Sequence, residues 1–180
     1  NELKPRSLAR KIACLKSFYK FLHKQGHVSA NPTLKLKTPK LGKRLPDYVE
    51  EKDINGLLEN PIFPEGFTGL RDKLILELLY GTGIRLSELI GIKEQDYNKH
   101  DHTLKVLGKG NKERIVPIHK TLSKLIEEYI LNKKSQLESS LDFLLVTDKG
   151  LQLYPMYVQR KVKFYLANDI TTVEQKSPHV

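Results

Sequence analysis

Arg85 and Glu88 stand three residues apart in the run Tyr80-Gly81-Thr82-Gly83-Ile84-Arg85-Leu86-Ser87-Glu88-Leu89. On a helix that spacing puts both side chains on one face. A guanidinium fixed at a helix start, beside amide donors that the helix leaves free, is suited to holding a phosphate. The same run also reads as an ordinary corner between two helices with a surface Arg–Glu pair. Twenty-four residues after Arg85 comes Lys109, inside Gly108-Lys109-Gly110-Asn111-Lys112-Glu113-Arg114. Taken alone this is a solvated basic turn. It lacks the GxxxxGK[ST] spacing that would cradle a nucleotide, so no ATP site is implied. His100-Asp101-His102 brings two imidazoles into a polar turn without further ligands at metal spacing, and we read no metal site there.

The elements that must position these groups follow from apolar spacing. Leu70, Leu74, Leu78 and Leu79 predict a buried helix ending at Gly81, and the glycines let the chain turn before a second helix near Arg85. Leu86, Leu89 and Ile90 face the core of that second helix. Residues 103–107 and 114–118 are β-rich runs with a glycine-containing connection, which predicts a hairpin. Gly108 and Gly110 permit positive φ there and would project Lys109 from the tip. Leu122, Leu125, Ile126, Tyr129 and Ile130 predict a helix from His119 to about Lys134. Another, roughly 155–167, carries Val158, Val162, Tyr165 and Leu166 inward and Arg160, Lys161 and Lys163 outward. Residues 143–146 form a short apolar run, either a strand or a buried turn. A short helix beginning at Asp47 or Glu50 should run through Leu58, with a turn from Pro61 to Gly66.

At the other end, Leu8, Ile12, Leu15, Tyr19 and Leu22 mark an amphipathic helix over residues 5–25, its stripe widened by Phe18 and Phe21. Gly26 follows as its cap. Arg10, Lys16, Lys20 and Lys24 lie off the stripe, where they can meet a DNA backbone. One helix cannot bury so wide a stripe, so partner helices are required. Residues 28–47 read as a linker, with Pro32, Pro39 and Pro46 between Lys35, Lys37, Lys40, Lys43 and Arg44.

TGIRLSEL resembles the first signature box of the tyrosine recombinases, the Xer and phage-integrase family. The Gly108–Arg114 segment resembles that family's β-hairpin lysine segment, and Ser177-Pro178-His179 resembles the start of its His-x-x-Arg box. The three motifs come in the family's order across residues 70–180. A type IB topoisomerase shares related chemistry, but GKGNKER and TGIRLSEL look more like recombinases. The resemblance implies a mainly α (α+β) fold: a helical catalytic domain with a small antiparallel β-sheet, preceded by part of an α-helical core-binding domain. Residues 1–27 would be the end of that core-binding domain, 28–47 a basic linker, and 48–180 the catalytic domain.

The implied activity is site-specific DNA recombination through a 3′-phosphotyrosine, which stores the bond energy and needs no cofactor. Arg85 would clamp the scissile phosphate, Lys109 would protonate the leaving 5′-oxygen, and His179 would contact the phosphate or handle the nucleophile's proton. Glu88 would orient Arg85 or a neighbouring basic side chain, and Lys112 would join the DNA-contacting cations. Asp96-Tyr97 resembles a family position with a structural role. The partners implied are double-stranded DNA and a homo- or hetero-tetramer on paired sites. The sequence departs from the family after His179, where the box should continue to an arginine and later to the nucleophile. None of the eight tyrosines matches the nucleophile's place, so these 180 residues alone are expected not to cleave DNA. Opening on Asn1 rather than Met, the chain reads as a fragment or processed product.

Charge supports the same partner. Residues 1–47 hold 12 Lys and Arg against 2 Asp and Glu, while the remaining residues hold 19 of each. All of the +10 excess therefore sits in the first quarter, as in a phosphate-binding arm. The same asymmetry would suit a solubility tail or an anionic-membrane patch. A single cysteine, Cys14, excludes an internal disulfide and suits a reducing, cytoplasmic setting. No apolar run approaches the roughly 18 residues of a membrane span. A DNA-binding module without catalysis, and a structural or membrane-surface protein, are the other classes these features admit.

Overall fold

A computed structural model describes residues 3–42, 56–59, 63–137 and 142–169, with side chains up to residue 167. The chain divides into two compact units, Asn1–Leu45 and Pro46–Val180.

In the first unit, helix α1 runs over Pro5–Lys24. Proline at its first position is preorganised for the helix and gives up a donor that would have no partner there. The helix stops in a Schellman turn: Gly26 N–H donates to the His23 carbonyl (3.2 Å) and His27 N–H to the Leu22 carbonyl (3.0 Å). Gly26 takes the left-handed conformation this requires, with φ +75°. Leu8, Leu15, Phe18 and Phe21 of the apolar stripe are all exposed, and Ala9 is the one buried residue of the helix. Past the helix, Asn31 closes a local turn by accepting from the Thr33 N–H (2.9 Å) and hydroxyl (2.7 Å).

The second unit is built around α2, Phe67–Thr82. Leu74, Ile75, Leu76 and Leu78 are buried in it, and so are Arg71 and Asp72. A helix buried on every side belongs at the centre of its domain. Gly83 ends it with φ +61°, its N–H donating to the Leu79 carbonyl at 3.1 Å. Only glycine takes that conformation without strain, and the chain turns at once into α3, Leu86–Gly91. A 3₁₀ turn, Glu94–Asp96, leads to strands β1 (Tyr97–Asn98), β2 (Thr103–Leu107) and β3 (Glu113–Pro117).

These strands form one antiparallel sheet in the order β1-β2-β3, with Val106 opposite Arg114 and Leu107 opposite Glu113. Leu104 and Val106 point into the core, whereas Lys105 and Leu107 are exposed, the alternation of a sheet with one buried face. Helix α4, Lys120–Gln136, and helix α5, Pro155–Asp169, complete the unit. The core gathers Leu57, Leu89, Ile92, Ile126, Tyr129, Leu144, Val158 and Tyr165 with the residues named on α2 and β2. The fold is therefore mainly helical with a small three-stranded antiparallel sheet, as the sequence led us to expect.

Several local expectations are corrected. Residues 143–146 form no strand beyond two isolated bridges, Lys93 with Phe143 and Val146 with Gln152. They are a buried turn, held by the Leu144 N–H to the Ile92 carbonyl (2.8 Å) and the Val146 N–H to the Tyr129 hydroxyl (3.2 Å). Lys161 does not simply face water: its ammonium lies 2.7 Å from the buried Asp72. Gly108 does not take positive φ; in the tip it is Gly110 (+75°) and Asn111 (+59°) that do. Of the short helix expected through Leu58, only residues 56–59 are described, and they are helical; the turn expected from Pro61 lies partly outside the described residues.

Candidate active site

Arg85 is the N-cap of α3, in extended conformation (φ −74°, ψ 153°). Its backbone N–H donates to Glu88 Oε2 at 2.8 Å, the reciprocal half of a capping box in which the third residue reaches back to the helix start. The side chains also meet, Arg85 Nη1 lying 3.3 Å from Glu88 Oε1. Their exposures differ sharply: 2% for the Glu88 side chain against 67% for Arg85. The carboxylate is thus a fixed internal anchor, and the guanidinium projects outward with most of its donors free for an anion.

Glu88 holds a second cation. Arg114, on β3, places Nη1 2.8 Å from Oε1 and Nη2 2.8 Å from Oε2. This fork-to-fork geometry is the strongest form of the pair. The Arg114 hydrogen bond, with the Arg85 N–H behind it, pulls the Glu88 carboxyl down from 4.5 to about 2 despite its burial. Glu88 is therefore ionised at any physiological pH.

Lys109 sits in the loop between β2 and β3 and is exposed, with no hydrogen bond or ion pair among the described residues. The loop is closed by the Gly108 N–H donating to the Lys112 carbonyl at 2.8 Å. A Cβ on Gly108 would lie 3.3 Å from both Arg114 Nη1 and Glu88 Oε1. The residue immediately before Lys109 therefore packs on the Glu88–Arg114 pair, and its hydrogen side chain leaves room for that contact. Arg85, Glu88 and the root of the Lys109 loop are gathered at one place, where α3 meets the end of the sheet. Lys112 is exposed in the same loop.

The other expected site residues lie elsewhere. Arg10, Lys20 and Lys24 are exposed on α1, Lys16 is partly buried, and Lys35 and Lys37 are exposed beyond it. His179, Lys43 and Arg44 fall outside the described residues. Asp96 and Tyr97 do local structural work. Asp96 Oδ2 accepts from the Lys93 N–H (2.9 Å), and the Tyr97 hydroxyl bonds Ser123 and donates to Glu127 (3.1 Å). In the His100–His102 turn, Asn98 Oδ1 accepts from the His100 and Asp101 N–H groups, and His102 Nδ1 pairs with Ser123 Oγ at 2.9 Å. No group of three His, Cys, Asp or Glu able to hold a metal occurs among the described residues.

Tyrosine hydroxyls in this unit are largely committed. Tyr129 accepts from Val146, and burial pushes its pKa up to about 12. Tyr165 donates to Asp72 at 2.9 Å, and Tyr157 accepts from Arg71 and faces Asp72. Burial first, and then Asp72, raise both phenols well above their ordinary range.

Arg114 escaped the sequence reading even though it closes the motif Gly108–Arg114. The signal that could have exposed it is alternation: Val106 and Arg114 are paired, so Arg114 shares the inward face of the sheet. A charged residue at an inward position asks for a buried partner.

Residues 47–180 match the phage integrase family. The chain is similar to tyrosine recombinase XerC of Chlorobaculum parvum, 37% identical over 199 residues, which span 99% of this chain and 59% of that protein. It is 40% identical over 168 residues to tyrosine recombinase XerC of Staphylococcus saprophyticus, spanning 93% of this chain and 55% of the relative. The chain thus spans little more than half the length of these relatives. Among solved structures, the Tn1549 transposon integrase in complex with transposon right end DNA superposes with a TM-score of 0.70 at 19% identity. That match covers 98% of this chain and 64% of the integrase, and it speaks for the fold.

Proposed function

This chain belongs to the phage integrase family, as a Xer-like tyrosine recombinase, and from that premise we propose that the protein is a site-specific DNA recombinase. It breaks and rejoins strands through a 3′-phosphotyrosine. The observation that carries the reading is the shared carboxylate: Glu88 holds Arg85 at a helix start while the root of the Lys109 loop packs against the same group.

Phosphoryl transfer asks for charge stabilisation on the nonbridging oxygens, a positioned nucleophile, and a proton for the leaving oxygen. Arg85 supplies the first. Its planar fork reaches two oxygens at once, and a lysine would be a poor replacement. Fixed from behind by Glu88, it need not reorganise as charge develops. Lys109 supplies the third, because its loop can carry an ammonium to the leaving 5′-oxygen. His179 assists at the phosphate or takes the nucleophile's proton. The nucleophilic tyrosine belongs to no position in these 180 residues, which bind DNA and cannot cleave it alone. Residues 1–27 end a core-binding domain, and the cations Arg10, Lys16, Lys20, Lys24, Lys35, Lys37, Lys43, Arg44 and Lys112 follow the duplex backbone. Cleavage proceeds in a tetramer on paired sites.

The test is covalent capture. Duplexes selected from a random library by binding to the full-length protein are nicked near the bound site and incubated with the full-length protein and with the 180-residue chain. We expect a protein–DNA adduct resistant to denaturant from the full-length protein, lost in Arg85→Ala, and none from the short chain. Salt-dependent binding without any adduct from the full-length protein would leave a DNA-binding module in place of a recombinase.

A further inference from the structure

We infer that Arg114 is a positioning residue for strand cleavage, locking the Glu88 carboxylate so that Arg85 and the Lys109 loop are held in one arrangement. The inference rests on the reading of Arg85 and Lys109 as the groups that meet the phosphate.

The geometry is that of a filled acceptor. Oε1 of Glu88 receives Arg114 Nη1 at 2.8 Å and Arg85 Nη1 at 3.3 Å. Oε2 receives Arg114 Nη2 and the Arg85 backbone N–H, each at 2.8 Å. Four donors occupy the four lone-pair sites of one carboxylate. The terminal torsion of a glutamate is otherwise broad and two-fold. Two parallel bonds from Arg114 remove that freedom, and the two remaining acceptor directions then dictate where the Arg85 backbone and guanidinium sit. A lysine could supply the charge but not the two parallel bonds.

The same guanidinium governs the loop. Arg114 pairs across the sheet with Val106, two residues before the Gly108 that packs on both members of the pair. Lys109 is the next residue, so its starting point is set by the clasp. Arg114 spends one N–H of each terminal nitrogen on Glu88 and is 41% exposed against 67% for Arg85. Its part is thus to fix the carboxylate, while Arg85 meets the substrate.

The experiment compares Arg114→Met, Arg114→Lys and Gly108→Ala in the full-length protein, with Arg85→Ala and Lys109→Ala alongside. Single-turnover cleavage of the selected nicked duplexes is followed against pH. Arg114→Met should cleave on the order of tenfold to a hundredfold more slowly, with DNA affinity within about twofold of the parent and Arg114→Lys in between. The pH profile separates positioning from mere scaffolding. Wild-type Glu88, faced by Arg85, Arg114 and the Gly108 backbone, stays ionised down to about pH 2. Without Arg114 it takes a proton in the ordinary carboxylate range or above, so the deficit should widen as pH falls from about 7 towards about 5.

A deficit independent of pH overturns the inference, as does normal cleavage by Arg114→Met where Arg85→Ala and Lys109→Ala are inactive. If Arg85→Ala and Lys109→Ala cleave normally, the reading of the site fails first and takes this inference with it. Should Arg114→Met not fold, the pH profiles of Arg114→Lys and Gly108→Ala decide by the same criterion.

Discussion

Lys161 on α5 sets its ammonium 2.7 Å from the Asp72 carboxylate on α2, joining a 30% exposed cation to a fully buried anion. Asp72 also accepts from the Tyr165 hydroxyl (2.9 Å), and its neighbour Arg71 bonds Asp148 at 2.7 Å and the Val146 carbonyl at 3.1 Å. The Arg71 guanidinium stacks over Phe67 and Tyr157 at 5.4 and 5.1 Å from the ring centres. Its Nε, 3.8 Å from Asp72 Oδ1, has no hydrogen-bond partner among the described residues. Asp72→Ala leaves those donors buried and unbalanced, and it should cost about 3–5 kcal/mol. Lys161→Met should cost no more than about 1 kcal/mol, because its charge is partly solvated. Urea midpoints at unchanged m-value measure both, and equal losses would contradict this ordering.

Glu88 gives an acid signature. Its folded pKa of about 2 lies below the ordinary 4.5, so the ionised form is favoured by folding. That contribution is complete above pH 4.5 and is lost as pH falls through about 2. The stability gap between the wild type and Glu88→Gln should therefore be constant at neutral pH and narrow across that window. A gap that does not change between pH 4.5 and pH 2 would count against it.

Lys109 as proton donor makes a prediction about the leaving group. Replacing the 5′-oxygen by sulfur gives a leaving group of far lower pKa, which needs no proton. Lys109→Ala should be severely slowed on ordinary DNA and largely rescued on the sulfur-substituted duplex, whereas Arg85→Ala should not be rescued. Equal behaviour of the two variants would remove Lys109 from that role.

The basic helix predicts a salt dependence. Neutralising Arg10, Lys20 or Lys24, all exposed on α1, should reduce the slope of log affinity against log salt by roughly 0.9 for each phosphate that keeps its counterion. The weakening should be the same for every duplex sequence, since phosphate contacts do not read bases. A weakening that varies with sequence would mean that these side chains enter a groove instead.

Much of this was legible in the sequence because the signals are local. Helices α1, α2 and α4 follow from apolar spacing, the hairpin from two β-rich runs around glycines, and the Arg85–Glu88 contact from a separation of three. What escaped was decided across distance. Arg71 and Asp72 look like polar residues on a helix surface until Asp148, Tyr157, Lys161 and Tyr165 arrive from later in the chain. Lys133 is buried at the end of α4 for the same reason, bonded to Glu94 (2.7 Å) and the Phe143 carbonyl (2.6 Å). Strand β1 has two residues, too few to carry a period. Periodicity reports which way a side chain points but not which charge waits there.

Because β2 and β3 are in continuous register from Thr103–Pro117 to Leu107–Glu113, the arrangement around Glu88 has a parity. Arg114 and Val116 share the inward face with Leu104 and Val106, while Ile115, 70% exposed, occupies the outward one. Removing one residue between Glu113 and Ile115 would exchange those faces, presenting an isoleucine to Glu88 and turning a guanidinium to water. Changes of loop length that preserve the even–odd count along β3 are open to this protein; those that break it are closed.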